Sequence, residues 1–168
     1  MSTDIEKLVK EAVAATLAQG TAQPIREKKK IEFISLDCAK QLAEAVERRA
    51  REMGVNAVVA IADEGGNLKI CECMDNSFLA SRDIAINKAY TSVALKMSTK
   101  KLASLAAPGG SLYGIQHTNG GRIVIFGGGD TLELRGRILG GLGVSGGTEE
   151  QDTALSAYGK KIFGEYFA

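Results

Sequence analysis

The chain of 168 residues carries a net charge of +1, which suits a single globular domain and provides no overall field that favours nucleic acid or an anionic membrane. Aromatic residues make up 5% of the chain and tryptophan is absent, so stacking on nucleic-acid bases is also disfavoured. No apolar run approaches the roughly 18 residues of a membrane span. The three cysteines form no evident disulfide framework, so the sequence predicts a reducing, cytoplasmic setting.

The first 19 residues have the pattern of a separate amphipathic helix. Thr3 and Glu6 form a capping box at its start, and a glycine follows its end. Residues 20–30 contain a proline and a basic run, which predicts a linker, and the core domain is expected over residues 31–168. The helix would carry an apolar stripe at helical spacing, formed by Ile5, Leu8, Val9, Ala12, Val13 and Leu17.

The core begins with a helix and a hairpin. Ser35 is placed to cap a helix that stops at Gly54, and "VNAVVAIAD" is a near-continuous apolar strand whose two faces should both be covered. The turn "EGGN" joins it to the strand "LKICECM". A long helix is predicted from Ala80 to Met97, followed by a short one over residues 99–106.

The second half is rich in glycine and in strand patterns. "RIVIF" is predicted as the third strand, "TLEL" as the fourth and "RILGGLGV" as the fifth. Thr148 and Gln151 can form a capping box for a final helix. Hairpins that alternate with helices predict an α+β domain, with an antiparallel sheet of about five strands flanked by helices.

Two glycine motifs match known fingerprints but lack the context that those fingerprints need. Gly141 to Gly146 satisfies G-x-G-x-x-G, yet no strand follows the last helix to complete a dinucleotide-binding unit. Gly143 to Gly147 satisfies G-x-S-x-G, yet the one histidine, His117, precedes the serine. Close packing of the last strand against a helix is the preferred interpretation of these glycines.

The cysteines allow two interpretations. Cys71 and Cys73 share one face of a strand and could hold a soft metal, with Cys38 from the neighbouring helix as a third ligand. Structural zinc needs four ligands, so small buried apolar side chains are the preferred interpretation.

Candidate ligand contacts come from a helix and from a glycine-rich loop. Lys88 is placed on the more polar side of the long helix, where it would either bind an anionic group or join a surface network. Three consecutive glycines would let a ligand approach the backbone, or would form a strained connection between strands. Asp130 and Arg135 add opposite charges to that loop, which contains Gly127, Gly128 and Gly129.

The string from "NKAYTSVALK" through "PGGSLYGIQHTNGGRIVIFGGG" to "GLGVSGGTEEQD" resembles the GlcG/HbpS family. That family includes the C-terminal domain of PduO-type corrinoid adenosyltransferases and a small stand-alone protein of glycerol and diol gene clusters. The resemblance covers about residues 33–163. It implies a profilin-like α+β sandwich, homo-oligomers and, in some members, binding of haem or a related tetrapyrrole.

Two departures from that family concern the ligand. Asp130 and Thr131 stand where relatives typically have an apolar residue and a proline, which changes the pocket's shape and charge. Haem-binding relatives can use a histidine on the first core helix, and this chain has none there. The candidate axial ligands are therefore His117 or a group other than histidine.

The segment 1–19 resembles the encapsulation peptides of bacterial microcompartment cargo, which are short amphipathic helices on flexible linkers. The resemblance implies docking to shell proteins through the apolar stripe and a location in the compartment lumen. The alternative is a helix that folds back on its own domain or forms an oligomer interface. A membrane-surface helix is disfavoured because its polar face mixes charges and it has no aromatic anchor.

Three functions follow from these patterns. The leading hypothesis is an accessory protein that binds a haem-like or other anionic ligand inside a microcompartment, through Lys88, Tyr113, Arg135 and the loop Gly127 to Asp130. The second is an enzyme acting on a small aldehyde, diol or related metabolite, with Asp130 as acid or base. The third is a structural cargo protein without a ligand. Expected partners are shell proteins, copies of the chain and a small molecule, but neither nucleic acid nor membrane.

Overall fold

The structure, a computed structural model, describes residues 32–166. The predicted targeting helix, its apolar stripe and the linker lie outside these residues. The described elements, in chain order, are α1 (Leu36–Glu52), β1 (Val58–Asp63), β2 (Leu68–Cys73), α2 (Ser81–Ala94), α3 (Thr99–Ala106), β3 (Gly129–Leu134), β4 (Arg137–Ser145) and α4 (Glu149–Tyr166).

The local signals at three element ends are confirmed. The Ser35 hydroxyl accepts a hydrogen bond from the Cys38 amide at 3.1 Å and caps α1. Gly54 follows the helix with φ of +68°, the left-handed conformation that ends many helices. The Asp63 carboxylate accepts amide hydrogen bonds from Gly65 and Asn67, which closes the β1–β2 hairpin.

The sheet is antiparallel and has four strands in the order β2-β1-β4-β3. Helices α1 and α4 cover one face, where the larger core cluster includes Leu42, Val59, Leu142 and Phe163. Helix α2 covers the other face, where the smaller cluster includes Ala60 and Ala89. The two central strands are therefore buried on both faces, as the apolar run of β1 predicts. The predicted α+β architecture is confirmed.

Helix α2 lies directly on the backbone of β4. A methyl group added to Gly143 would meet the carbonyl oxygen of Ala85, and one added to Gly141 would meet that of Ala89. Residues 141–145 of the two glycine motifs thus lie inside a strand that packs closely against a helix, which is the interpretation that the sequence favours, and Gly146 and Gly147 follow the end of that strand. Ser145 is buried and its hydroxyl donates a hydrogen bond to the Ser81 hydroxyl at 3.2 Å, whereas His117 is exposed.

The predicted third strand, "RIVIF", is wrong, so the sheet has four strands rather than about five. Residues 122–126 form an irregular segment. The side chain of Thr91 on α2 provides the hydrogen bonds that a neighbouring strand would otherwise supply: its hydroxyl donates to the Arg122 carbonyl and accepts from the Val124 amide. Strand β3 begins only at Gly129 and contains the predicted "TLEL".

Candidate functional site

Lys88 lies at the centre of the described fold. Its side chain is fully buried, and its Nζ donates hydrogen bonds to the carbonyl oxygen of Val144 and to the carboxylate of Asp152, both at 2.8 Å. The ring of Phe126 lies 4.8 Å from the same nitrogen. The prediction that Lys88 lies on the more polar side of the helix is therefore wrong.

Asp152 is the residue that makes this burial tolerable. Burial lowers the pKa of Lys88, because it disfavours the charged form, and the hydrogen bond from Lys88 to Asp152 opposes that change. The second carboxylate oxygen of Asp152 accepts the amide of Gly147 at 2.9 Å. The ion pair therefore links α2 to β4 and to the start of α4. The Lys88 nitrogen and both carboxylate oxygens of Asp152 have hydrogen-bond partners, which a buried ion pair requires.

The glycine loop is held by groups of the protein itself. The amide of Gly127 donates to the Glu149 carboxylate at 2.8 Å, and the amide of Gly129 donates to the Thr99 hydroxyl at 2.9 Å. A Cβ on Gly128 would lie 2.6 Å from the Nζ of Lys88. The structure thus brings Lys88 and the three glycines together. Because Gly128 has no side chain, the ammonium group of Lys88 can lie close to the loop. A ligand contact at this loop stays a prediction.

Asp130 follows the glycines on β3 and faces α4. The Ser156 hydroxyl donates to its carboxylate at 2.8 Å. Burial raises the pKa of Asp130, while the hydrogen bond from Ser156 and the charge of Lys160 partly oppose this. Asp130 is only half-buried, so a carboxyl group with a raised pKa remains accessible to solvent.

Arg135 lies apart from the rest of the predicted ligand set. It occupies the β3–β4 turn with φ of +53°, next to Gly136 with φ of +76°. Six residues of extended strand separate it from Gly129, which corresponds to about 20 Å. The structure therefore does not bring Arg135 to the glycine loop.

Tyr113 and His117 lie on the long connection between α3 and β3. Tyr113 is 66% exposed, and His117 is exposed at the end of the short 3-10 turn Ile115–His117. Its ring nitrogen Nε2 lies 3.4 Å from the side-chain nitrogen of Gln116. The side-chain oxygen of Gln116 is buried without a hydrogen-bond partner, so this turn contains both an accessible imidazole and an unsatisfied acceptor.

Tyr90 of α2 ties this loop to the domain. Its hydroxyl accepts a hydrogen bond from the side chain of Asn119 at 3.1 Å, and the guanidinium of Arg122 lies 3.6 Å above its ring. Together with the Thr91 bonds, these contacts fix the loop on both sides of residue 120. No pattern in the sequence signals Arg122 as the partner of Tyr90.

The cysteines occupy both faces of the sheet. Cys71 packs against the cluster beneath α2, and Cys73 follows it on β2, whereas Cys38 of α1 belongs to the cluster on the opposite face. The sheet therefore separates Cys38 from the other two thiols. Within residues 32–166 no three side chains of His, Cys, Asp or Glu are grouped to hold a metal ion.

In the same part of the chain, no helix combines the length and apolar character of a membrane span.

These features define a class of small α+β domain whose antiparallel sheet is covered by helices on both faces and whose long surface loop carries an exposed histidine. The chain belongs to the family described as "Haem degrading protein HbpS-like", whose model matches residues 34–160.

Relatives of known sequence and structure support this membership. The chain is 46% identical over 135 residues to an uncharacterised 15.0 kDa protein from the dhaT-dhaS intergenic region of Citrobacter freundii, covering 80% of this chain and 95% of that protein. It is 37% identical over 152 residues to the corrinoid adenosyltransferase PduO of Citrobacter freundii, covering 90% of this chain but only 44% of PduO. The crystal structure of a PduOC:haem complex superposes with a TM-score of 0.74 at 36% identity, covering 77% of this chain and 94% of that one.

Proposed function

We propose that this protein is an accessory domain that binds haem or a related tetrapyrrole on its surface loop. The observation that carries the proposal is the exposed imidazole of His117 on a loop that Tyr90 and Thr91 hold in place. The similarity to the protein of the PduOC:haem complex, over nearly its whole length, supports the same ligand class. The activity of full-length PduO is not part of the proposal, since this chain spans less than half of that protein.

The residues present on the loop fit such a group. His117 offers a ring nitrogen as an iron ligand, which requires only that Gln116 give up its contact at 3.4 Å. The exposed ring of Tyr113 offers an apolar surface for a macrocycle. The exposed guanidinium of Arg122 offers a partner for carboxylate substituents. When bound, the iron porphyrin supplies a centre for ligand exchange or electron transfer.

Lys88 and the glycine loop have a supporting role in this proposal. Because Lys88 is fully buried, it holds Phe126 and the first glycines rather than touching a ligand. Arg135, at the far end of β3, would contact only a ligand that binds at a different surface. Asp130 is the residue that would favour the enzymatic alternative, because it combines a raised pKa with partial exposure.

Haem titration tests the binding proposal. Adding haem to the full-length protein should shift the Soret band, and His117→Ala should abolish that shift or weaken binding at least about tenfold, the usual scale for loss of a metal ligand or its support. Arg135→Ala is the matched control and should bind as the wild type does. Absence of any spectral change in the wild type would contradict the proposal. Equal binding by His117→Ala would remove His117, and Tyr113→Phe would then test the phenol as ligand.

The enzymatic alternative has its own test. Purified protein should be assayed against small aldehydes and diols, and Asp130→Ala should abolish any turnover found while leaving the fold intact. Turnover that survives this change would remove Asp130 from the mechanism, and absence of turnover with every substrate would leave the binding proposal as the better account.

We also propose that the protein is packaged in a bacterial microcompartment, in contact with shell proteins. The support is the amphipathic pattern of residues 1–19 and its resemblance to encapsulation peptides. Residues 1–20 fused to a fluorescent protein should co-localise with shells. Leu8→Glu, which places a charge in the apolar stripe, should make the fluorescence diffuse, whereas Lys10→Glu on the polar face should not. Diffuse fluorescence of the unmodified fusion would favour the fold-back alternative.

Self-association belongs to the same proposal. Phe78 and Leu79, between β2 and α2, are 71% and 95% exposed, and large apolar side chains of this kind favour a protein interface. Leu79→Asp should lower the mass measured by light scattering if copies associate through this surface. If the wild type is an oligomer, an unchanged mass would place the contact on another surface. If the wild type is a monomer, self-association is contradicted.

A further inference from the structure

Strand β2 carries two thiols on one face of the sheet's outer edge. β2 pairs only with β1, opposite Val58 and Ala60, so its other side has no strand partner within residues 32–166. Cys71 is half-buried and Cys73 is exposed. Side chains two positions apart on a strand point the same way, and Cys71 packs on the face of the sheet that α2 covers, so the Cys73 thiol lies on that face as well. The pair is thus accessible and lies on one face of the sheet.

Strand geometry argues against a disulfide between these residues. Two residues of extended strand span about 6.8 Å, and the parallel Cβ atoms are separated by a similar distance. A disulfide needs Cβ atoms about 3.5–4.5 Å apart, so closure would have to bend the strand. A metal ion between two sulfur atoms spans about 4.6 Å, from two bonds of about 2.3 Å. Each sulfur can lean toward the other by the small amount required, so a bridging ion fits where a disulfide does not.

We propose that Cys71 and Cys73 form a two-coordinate site for a soft monovalent cation of the Cu(I) class. Thiolates are the ligands that select Cu(I), whereas structural zinc needs four ligands, and no third Cys, His, Asp or Glu joins this pair within residues 32–166. On binding, both S–H protons leave, two S–Cu bonds form and no electron is transferred. Two thiolates and one Cu(I) leave one net negative charge, and the positive charge of Arg82 on α2 acts on Cys71.

Copper competition tests the site in the full-length, reduced protein. Under anaerobic conditions the wild type should retain one Cu(I) per chain against a colorimetric Cu(I) chelator, with release of two protons, and its X-ray absorption spectrum should show two sulfur ligands. Cys71→Ser and Cys73→Ser should each lower the affinity at least about tenfold. Cys38→Ser and His117→Ala should retain copper as the wild type does.

Each result decides the proposal. Because Cys73 is exposed, Cys73→Ser is expected to keep the fold, and a circular dichroism spectrum verifies this. No retention by the wild type, or equal retention by Cys73→Ser, would overturn the site. Loss of copper in Cys38→Ser or His117→Ala would overturn the assignment to β2. The tests are independent of the haem proposal, since the haem titration does not involve these thiols.

Discussion

The ammonium of Lys88 and the carboxylate of Asp152 lie 2.8 Å apart, with side-chain exposures of 0% and 5%. They are separated by 64 positions in the sequence, so their contact joins the long helix on one face of the sheet to the start of the last helix. The pair excludes water from both charges. Neither charge can therefore be compensated by solvent when its partner is removed.

Removal of one member should destabilise the protein strongly. Lys88→Ala or Asp152→Ala should each lower the free energy of unfolding by about 3–5 kcal/mol, because an unpaired buried charge remains. The control is Arg137→Ala, which breaks an exposed ion pair with Glu64 and should cost about 1 kcal/mol or less. Urea denaturation of all three variants measures this, and a Lys88→Ala protein as stable as Arg137→Ala would contradict the structural role.

One glycine of β4 and one of α4 give an opposite pair of predictions. Gly143→Ala should destabilise by about 1–3 kcal/mol, since the added methyl meets the backbone of α2 at Ala85 and the helix must move away. Gly164→Ala, in α4 with open space around it, should stabilise by about 0.5–1 kcal/mol through helix propensity. Thermal unfolding followed by circular dichroism distinguishes the two, and a Gly143→Ala variant with unchanged melting temperature would refute the close packing.

Thr91→Val should loosen the loop that carries His117. The change removes the hydroxyl that binds the Arg122 carbonyl and the Val124 amide, at a cost of about 1–2 kcal/mol. Trypsin should then cleave faster after Arg122, which is exposed. Ser92→Ala is the control, because the Ser92 hydroxyl bonds only to Ala89 on its own helix. Equal cleavage rates for the two variants would show that Thr91 does not anchor the loop.

Asp130→Asn should change how stability depends on pH. The pKa of Asp130 is raised in the folded state, so the folded protein binds more protons and its stability falls as pH rises through that pKa. The stability of Asp130→Asn relative to the wild type should thus increase as the pH rises above about 4, the ordinary pKa of an aspartate. Glu133→Gln should behave oppositely, because a hydrogen bond from Thr131 lowers the pKa of Glu133. Parallel pH profiles for both variants would contradict these assignments.

The sequence predicts best what depends on neighbours along the chain. The caps at Ser35 and Thr148 are confirmed, the latter by reciprocal hydrogen bonds between Thr148 and Gln151, because a cap is a contact over three positions. The hairpin turn at Asp63 is local in the same way. These signals are sufficient for the α+β class and for most element bounds.

Contacts across long separations were the ones that sequence reasoning missed. The residues next to Lys88 in the sequence do not signal that its side chain is buried. Its burial depends on hydrogen bonds to Val144 and Asp152, which are 56 and 64 positions away. "RIVIF" has the β-branched composition of a strand, yet its backbone binds a threonine side chain of α2. In both cases contacts with distant parts of the chain overrode the local pattern. Of these distant partners, only Asp152 lies within the motifs quoted for the family resemblance, as the last residue of "GLGVSGGTEEQD".

The close contact of α2 with the glycines of β4 restricts where this scaffold can acquire new specificity. At Gly141 and Gly143 even an added methyl group would meet the backbone of α2, so no small molecule fits between that helix and β4 without moving the helix. Changes in ligand preference must therefore arise on the outside, chiefly in the connection from α3 to β3. Transplanting that connection from one relative to another should carry the ligand preference with it, and the recipient domain would not need to be repacked.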